Sequence, residues 1–290
     1  MYQICERGTD LDLKYIIGLK KEIVSLAKKY EEFLFRLFET EEELMATLQE
    51  EKDLCKEALL IAATDDVISF GKQFEMATMA YANPNFPSQT YSGVDMIVEG
   101  FEEVDADFLN KVYQRHHRIP WTILETNRCF IRELTLDDLD DLFELYGGGE
   151  IDKYTDSLYP YEEEKEFQRA YIENMYRYFG YGLWLVFFKE NGKLVGRAGL
   201  EHREYHDEIE LELGYIIGAQ YQGQGLATEI CEAILTYAKE NTGFERINAL
   251  IEDGNAASLK LANKLGFVHI EDFALNNKVM HRYIFEFATS

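Results

Sequence analysis

The spacing of hydrophobic residues divides the first half of the chain into helical and extended segments. Apolar residues recur every three to four positions in residues 12–30, with lysines between them, and this period predicts a helix over Asp12–Tyr30. The further predictions are a helix from Thr40 to Glu51 opened by a capping box, strands Ala58–Ala63, Ala77–Tyr81 and Val94–Val98, and helices Val67–Glu75 and Asp105–Arg115. Because strands alternate with helices, we expect a small parallel α/β layer.

A new series of elements begins after Pro120. The predicted order is strand Cys129–Arg132, helices Leu136–Tyr146 and Glu162–Tyr178, strands Leu183–Lys189, Leu194–Leu200 and Ile209–Gly218, helix Leu226–Glu240, strand Arg246–Ile251, helix Ala256–Leu265, and strands Val268–Phe273 and Val279–Phe287. We therefore expect two domains, residues 1–120 and 121–290.

One loop of the second half has the composition of an anion site. It lies between the predicted strand ending at Gly218 and the helix beginning at Leu226, and contains Gly223 and Gly225. Glycines let consecutive N–H groups point at one spot, and a helix N-terminus adds partial positive charge there. A pyrophosphate suits such a loop. The spacing is neither GxGxxG nor GxxxxGK[ST]. The residues concerned are Gln220, Tyr221, Gln222, Gly223, Gln224, Gly225, Leu226 and Ala227.

A second motif follows in the same order as in a known family. Asn255-Ala-Ala-Ser258 opens a helix that ends at Lys264-Leu-Gly266-Phe267. With the Gln-x-x-Gly-x-Gly loop, this segment resembles the GNAT acetyltransferases over about Cys129 to Phe287. The resemblance implies a GNAT fold, with a mixed central sheet splayed open in the middle, and acetyl-CoA as cofactor. It implies that pantetheine pairs with backbone groups of Ile216, Ile217 and Gly218. Asn255 would bond pantetheine or an ordered water, and Ser258, one helical turn later, would bond the thiol.

The acetyl acceptor stays open at this stage. The segment is most similar to the subgroup that includes ribosomal-protein N-terminal acetyltransferases, but that subgroup also acts on small amines. The resemblance therefore implies a primary amine, either a polypeptide N-terminus or a small molecule. A second hypothesis from another class is a regulatory protein that senses acyl-CoA with little turnover.

Candidate catalytic residues follow from the chemistry of acetyl transfer. The amine must lose a proton, and alternation along the strand puts Glu208, Glu210 and Glu212 on one face. Glu212 is the first candidate base because it lies closest to the expected splay, and Glu210 is the second. Ser258 is a candidate partner of the thiol, and His202 is a further polar candidate. The alternatives are a solvated strand face for the glutamates and a structural role for the histidine.

Composition restricts the partners. The 290 residues have a net charge of -25, which disfavours nucleic acid and anionic membrane and suits cationic amines, although it also fits a simple role in solubility. The four cysteines are scattered without metal-type spacing, so we expect reduced thiols, no metal site and a cytoplasmic protein. No signal peptide or membrane-spanning run is expected, and a homodimer is left open.

The first half shows a weaker resemblance to another family. Leu59 to Asp105 resembles part of a HAD-type hydrolase, with Asp65 and Asp66 at the end of a strand. The family's Asp-x-Asp nucleophile has one candidate here, Asp10-Leu-Asp12, and no apolar strand precedes it. These four aspartates suit helix N-termini better. We therefore expect a HAD-like, Rossmann-like α/β domain without phosphatase activity.

Overall fold

The computed structural model describes residues 12–147, 153–155, 157–176, 179–206 and 208–287. The chain forms two compact units, Met1–Trp121 and Thr122–Ser290, and each is described by itself.

The first unit contains a five-stranded parallel sheet. Its strands are Tyr15–Leu19 (β1), Leu34–Phe38 (β2), Ala58–Ala62 (β3), Ala77–Tyr81 (β4) and Met96–Val98 (β5), in the spatial order β2-β1-β3-β4-β5. Its helices are Lys20–Ala27 (α1), Glu41–Glu50 (α2), Asp65–Lys72 (α3) and Ala106–His116 (α4). The predicted parallel α/β layer is thus confirmed, and the HAD-like identity stays a prediction.

The predicted helix over residues 12–30 is wrong in its first part. Residues Tyr15–Leu19 form strand β1, and only Lys20–Ala27 is helical. Ile16 and Ile17 are both fully buried because β1 lies between β2 and β3 and is covered on both faces. A strand buried on both faces is continuously apolar, so it lacks the alternation that distinguishes a strand from a helix. Asp12 therefore precedes a strand, and Asp10 lies outside the described residues.

The carboxyl end of the first sheet differs from the hydrolase pattern. Strand β1 runs directly into Lys20, Lys21 and Glu22. The Asp65 carboxylate accepts backbone hydrogen bonds from Thr90 at 2.8 Å and Tyr91 at 2.7 Å. These bonds lower the pKa of Asp65 and tie it to a loop. The absence of phosphatase activity stays a prediction.

The second unit contains an eight-stranded mixed sheet. Its strands are Thr122–Glu125 (β6), Cys129–Arg132 (β7), Leu183–Phe188 (β8), Leu194–Tyr205 (β9), Glu208–Ile217 (β10), Arg246–Glu252 (β11), Val268–Leu275 (β12) and Lys278–Glu286 (β13), in the order β12-β13-β11-β10-β9-β8-β7-β6. Its helices are Leu139–Tyr146 (α5), Tyr161–Tyr171 (α6), Leu226–Asn241 (α7) and Ala256–Leu265 (α8). The long helix predicted over Glu162–Tyr178 is α6 followed by a π-helical turn, Ile172–Tyr176, and residues 177 and 178 lie outside the described residues.

The second sheet opens between β10 and β11, which are adjacent parallel strands. Strands β10 and β11 pair at Leu211 with Ile247 and at Glu212 with Asn248, and they part beyond these positions. Strand β10 nevertheless continues to Ile217 and β11 to Glu252. The splay predicted for the sheet is therefore present, and it begins one residue after Glu212.

Side-chain alternation gives the second sheet two different faces. On one face, Tyr215 bonds to Ser258 of α8. We name this the α7 face, because Trp184 on the same face packs against Tyr237 of α7. On the other face, Tyr171 of α6 bonds to Glu201, which pairs with Glu212, and we name this the α6 face.

Across the described residues, none of the helices is both long and apolar enough to cross a membrane.

Candidate functional site

The glycine loop follows the end of β10 that is not paired with β11, and it leads into helix α7. Gly223 and Gly225 have φ values of 73° and 77°, the left-handed region that glycine adopts without steric cost. A Cβ built on Gly223 would have no heavy atom within 4 Å, so the loop faces open space at this position. No side chain in the described residues caps α7, which leaves its first N–H groups available to a ligand. This geometry fits a pyrophosphate.

An arginine from the turn between β6 and β7 lies beside this loop. The Arg128 guanidinium donates to the carbonyl of Gln224 at 3.1 Å and to the carboxylate of Glu229, in the first turn of α7, at 2.7 Å. Its Nη2 lies 4.0 Å from the position of a Cβ on Gly225. A cation therefore lies beside the loop that would hold the anion. No sequence motif identifies this residue, because 96 positions separate Arg128 from Gln224.

The strand end before the loop offers fewer free backbone groups than the resemblance implies. The Gly218 N–H donates to Val195 at 2.9 Å, on the β9 side. Backbone groups alternate along a strand, so Ile216 also faces β9 and Ile217 faces the splay. The Ile217 carbonyl already accepts a bond from the Gln222 side chain at 3.0 Å. Ile217 is consequently the residue of this trio best placed to meet pantetheine through its N–H.

The remaining loop residues stabilise the turn that presents the glycines. Ala219–Tyr221 is a short 3₁₀ turn that includes Gln220, whose carbonyl accepts a bond from the Gln224 side chain at 3.3 Å. The Tyr221 ring packs edge-on against Phe188 with centroids 5.4 Å apart. Leu226 and Ala227 are the first residues of α7, and Leu226 is buried in the core.

Asn255 and Ser258 lie at the start of α8, across the splay from β10. The Asn255 side-chain oxygen accepts the Ser258 N–H at 3.1 Å and thereby caps α8. The Tyr215 hydroxyl donates to Ser258 Oγ at 2.9 Å. Burial raises the pKa of Tyr215 to about 12, so its hydroxyl remains a donor at neutral pH. Tyr215 is a site residue that no sequence motif indicates.

Glu212 is held in place on the α6 face. The Tyr205 hydroxyl donates to its Oε2 at 2.5 Å, and Arg203 forms an ion pair with the same carboxylate at 2.5 Å. Burial raises the pKa of Glu212, with Arg203 and Tyr205 opposing the shift and the charge of Glu201 adding to it. A carboxylate with a raised pKa at the mouth of the splay has the properties of a general base.

Glu210 is in a different situation. Its carboxylate accepts bonds from Arg246 (2.5 and 3.0 Å), Arg282 (3.0 Å) and Asn248 (2.6 Å). Burial alone would raise the pKa of Glu210, but the bonds from Arg246 and Asn248 outweigh it and lower the pKa. Two acceptor positions on each oxygen are thereby filled, so the geometry favours a structural role.

The structure does not bring His202 together with the glutamates. His202 pairs with Leu211 on β10, so its side chain lies on the α7 face. Its Nε2 is 2.6 Å from the Tyr181 hydroxyl, and its ring packs against Phe179 and Phe244. Burial lowers the pKa of His202. These surroundings fit the structural alternative stated for a lone histidine.

A pocket lies on the α6 face next to Glu212. It has a volume of about 310 Å³, at the lower end of the usual range for small-molecule sites. Arg203 and Tyr205, the two partners of Glu212, form part of its wall, and Leu250 borders the splay. The complete lining is Arg203, Glu204, Tyr205, His206, Leu250, Glu271, Phe273 and Leu275.

Comparison with known proteins finds relatives of the second unit. Residues 128–268 match the family model described as the acetyltransferase (GNAT) domain. The Bacillus subtilis protein YkkB is 28% identical over 163 residues, which are 56% of this chain and 94% of YkkB. The N-acetyltransferase YoaA of Bacillus subtilis is 26% identical over 150 residues, which are 50% of this chain and 82% of YoaA.

A solved structure shows the same fold. An acetyltransferase from Salmonella typhimurium, described as modifying the N-terminal serine of ribosomal protein L7/L12, superposes with a TM-score of 0.50 at 17% identity, covering 58% of this chain and 100% of the other. The predicted GNAT fold of this unit is therefore confirmed.

Proposed function

We propose that the second unit, in which residues 128–268 match the acetyltransferase (GNAT) domain, transfers the acetyl group of acetyl-CoA directly to a primary amine. The observation that carries this proposal is the parting of β10 and β11 beyond Glu212, with the glycine loop at the end of the open strand. The loop amides from Gln222 to Ala227 would hold the pyrophosphate, with Arg128 beside them. The Ile217 N–H and Asn255 would line the path of pantetheine.

Two groups would handle the protons of the reaction. Glu212, on the α6 face, would accept the amine proton directly or through water. Ser258, on the α7 face, would donate to the sulfur of the leaving group. Because Tyr215 donates into Ser258 Oγ, the Ser258 hydroxyl proton stays free for that purpose. The base and the donor thus approach the splay from opposite faces of the sheet.

The pocket beside Glu212 is our candidate acceptor site. It combines apolar Leu250, Phe273 and Leu275 with the carboxylate of Glu204, whereas the carboxylate of Glu271 is already paired with Arg282. Its wall is bonded to Glu212. This combination suits an ammonium group attached to an apolar body. A polypeptide N-terminus with an apolar first side chain and a small hydrophobic amine both meet this description.

A matched pair of glycine variants tests the cofactor site. Gly223 and Gly243 have φ values of 73° and 69°, and a Cβ on either would meet nothing within 4 Å. Leucine should therefore cause similar backbone strain at both positions, but only Gly223 lies in the proposed pyrophosphate loop. By calorimetry, Gly223→Leu should weaken CoA binding at least tenfold, about 1.4 kcal/mol, and Gly243→Leu should leave it unchanged.

Turnover separates the two classes of function. Free thiol released from acetyl-CoA is measured with a panel of hydrophobic amines, polyamines and peptides with free N-termini. Turnover with a member of the panel supports the transferase. Tight CoA binding without turnover across the panel favours the acyl-CoA-sensing alternative, and unchanged CoA affinity in Gly223→Leu contradicts the assignment of the loop.

A further inference from the structure

Two histidines and an aspartate converge on the hairpin formed by β12 and β13. His269 Nε2 lies 2.7 Å from Asp272 Oδ1, and His281 Nδ1 lies 2.6 Å from the same oxygen. One ligand atom from each of the three residues falls within 4.8 Å of the others. We propose that His269, Asp272 and His281 form a binding site for a divalent transition-metal ion of the zinc class, separate from the acetyltransferase site.

A β-bulge brings the three side chains to one face. Asp272 pairs with His281 and His269 pairs with Tyr283, while the register shifts between His269 and Glu271. In a regular strand, residues 269 and 272 would point to opposite faces because side chains alternate. The inserted residue, Ile270, re-aims His269 toward Asp272. The backbone irregularity therefore has a defined consequence, which is to complete the donor set.

A further carboxylate orients the ligand atom of His281. His281 Nε2 lies 3.2 Å from Asp253 Oδ1, just beyond the end of β11. Metal-binding histidines usually donate their second ring N–H to a carboxylate or carbonyl, which fixes the tautomer and leaves the other nitrogen for the metal. Asp253 is in this position, so Nδ1 of His281 is directed toward the proposed ion.

The donor set and its dimensions indicate the class of metal. Two imidazoles and one carboxylate suit Zn²⁺, Ni²⁺, Co²⁺ or Cu²⁺ and are poor for Mg²⁺ or Ca²⁺. With ligand bonds of about 2.0–2.1 Å, tetrahedral ligand atoms lie about 3.3 Å apart. Each histidine nitrogen must therefore move about 0.6–0.7 Å away from Asp272 Oδ1, and the two nitrogens, which lie within 4.8 Å of each other, must come to the same spacing by side-chain rotation. Water would complete the coordination, since His269 and Asp272 are exposed.

The site would join three strands at one point. Asp272 lies on β12, His281 on β13, and Asp253 follows β11. Phe273, which lines the pocket beside Glu212, lies on the opposite face of the same hairpin. A bound ion would therefore fix the hairpin that forms one wall of this pocket. The sequence predicts no metal, because its spacing resembles no known Cys/His motif and the donors meet only in the folded hairpin.

Metal titration of the full chain tests the proposal. Zn²⁺ binding is measured by calorimetry at pH 8, and Co²⁺ is used as a probe because its visible spectrum distinguishes tetrahedral ligation from the hydrated ion. We expect one saturable site in the wild type, loss of that site in His269→Gln and His281→Gln, and binding about 10–100-fold weaker in Asp253→Asn. His206→Gln, an exposed histidine near the hairpin whose nearest carboxylate is Glu271, is the matched control and should bind as the wild type.

Thermal unfolding gives a second measurement that is independent of the spectra. An ion that binds only the folded state raises the unfolding temperature, so Zn²⁺ should stabilise the wild type and His206→Gln but not His281→Gln. No saturable site in the wild type, or wild-type affinity in both His269→Gln and His281→Gln, would overturn the proposal.

Discussion

The hydroxyl of Tyr215 donates a hydrogen bond of 2.9 Å to Oγ of Ser258, and this bond connects β10 to α8 across the α7 face of the splay. The two residues are 43 positions apart. Tyr215 keeps its proton at neutral pH and donates it to Ser258, and in this arrangement the Ser258 proton points elsewhere. The pair therefore behaves as one donor unit in the proposed reaction.

We predict that Ser258→Ala and Tyr215→Phe lower kcat by similar factors, and that the double variant loses little more than either single variant. Non-additivity of this kind is expected for residues that act through one bond. Both losses should be smaller than that of Glu212→Gln, since a thiolate is already a fair leaving group. The measurement is a double-mutant cycle in kcat with saturating acetyl-CoA, and strictly additive losses would contradict the coupling.

Glu212→Gln should reduce kcat by about 10²–10⁴-fold and leave CoA affinity unchanged, because a base acts on the amine. Burial raises the pKa of Glu212, and a base must be deprotonated to work. Activity of the wild type should therefore rise with pH through a value above that of an exposed glutamate, about 4.3. This limb of the pH profile should be absent from Glu212→Gln. Full activity of the variant would transfer proton removal to a backbone-bound water and leave positioning as the main source of catalysis.

Glu210→Ala should destabilise the second unit strongly. Arg282 has only 4% of its surface exposed, and the substitution removes one of the carboxylates that neutralise it. Loss of one partner of a buried ion pair typically costs about 3–5 kcal/mol. Glu208→Ala is the control, because this carboxylate is exposed and should change the free energy of unfolding by less than about 0.5 kcal/mol. Denaturation in urea, followed through Trp184 in a Trp121→Phe background, measures both.

The first unit should show a pH-dependent stability that originates in one pair. His116 Nδ1 lies 2.9 Å from Asp95 Oδ2. Burial lowers the pKa of His116, but the bond and charge of Asp95 outweigh it and raise the pKa. Burial likewise raises the pKa of Asp95, but His116 and Thr78 outweigh it and lower the pKa.

The sign of the effect follows from these two directions. The His116 contribution is complete below its unfolded pKa of about 6.5 and is lost as pH rises through the higher folded value. The Asp95 contribution is present above about pH 4 and is lost as pH falls. His116→Gln should therefore destabilise the unit more at pH 6 than at pH 9, measured by urea denaturation through Trp121 in a Trp184→Phe background. An equal loss at both pH values would contradict this assignment.

The sequence by itself determined the features that depend on local order. The glycine loop, the Asn255 cap and the helix capped by Gly266 follow one another along the chain, and their resemblance to the GNAT motifs implied the fold of the second unit. The parallel layer of the first unit was likewise predicted from alternating strands and helices. Strand β1 was missed because a strand buried on both faces has no alternation.

Only the tertiary structure decided which side chains meet. Glu210 and Glu212 are equivalent in the strand pattern, but neighbouring strands surround Glu210 with Arg246, Arg282 and Asn248 and leave Glu212 beside the pocket. Arg128 reaches the glycine loop, and three hairpin residues form a metal-type donor set, through contacts that no local spacing encodes. The reason is physical: period and turn chemistry act between near neighbours, whereas charge pairing and ligand geometry depend on strand order and register, which packing fixes.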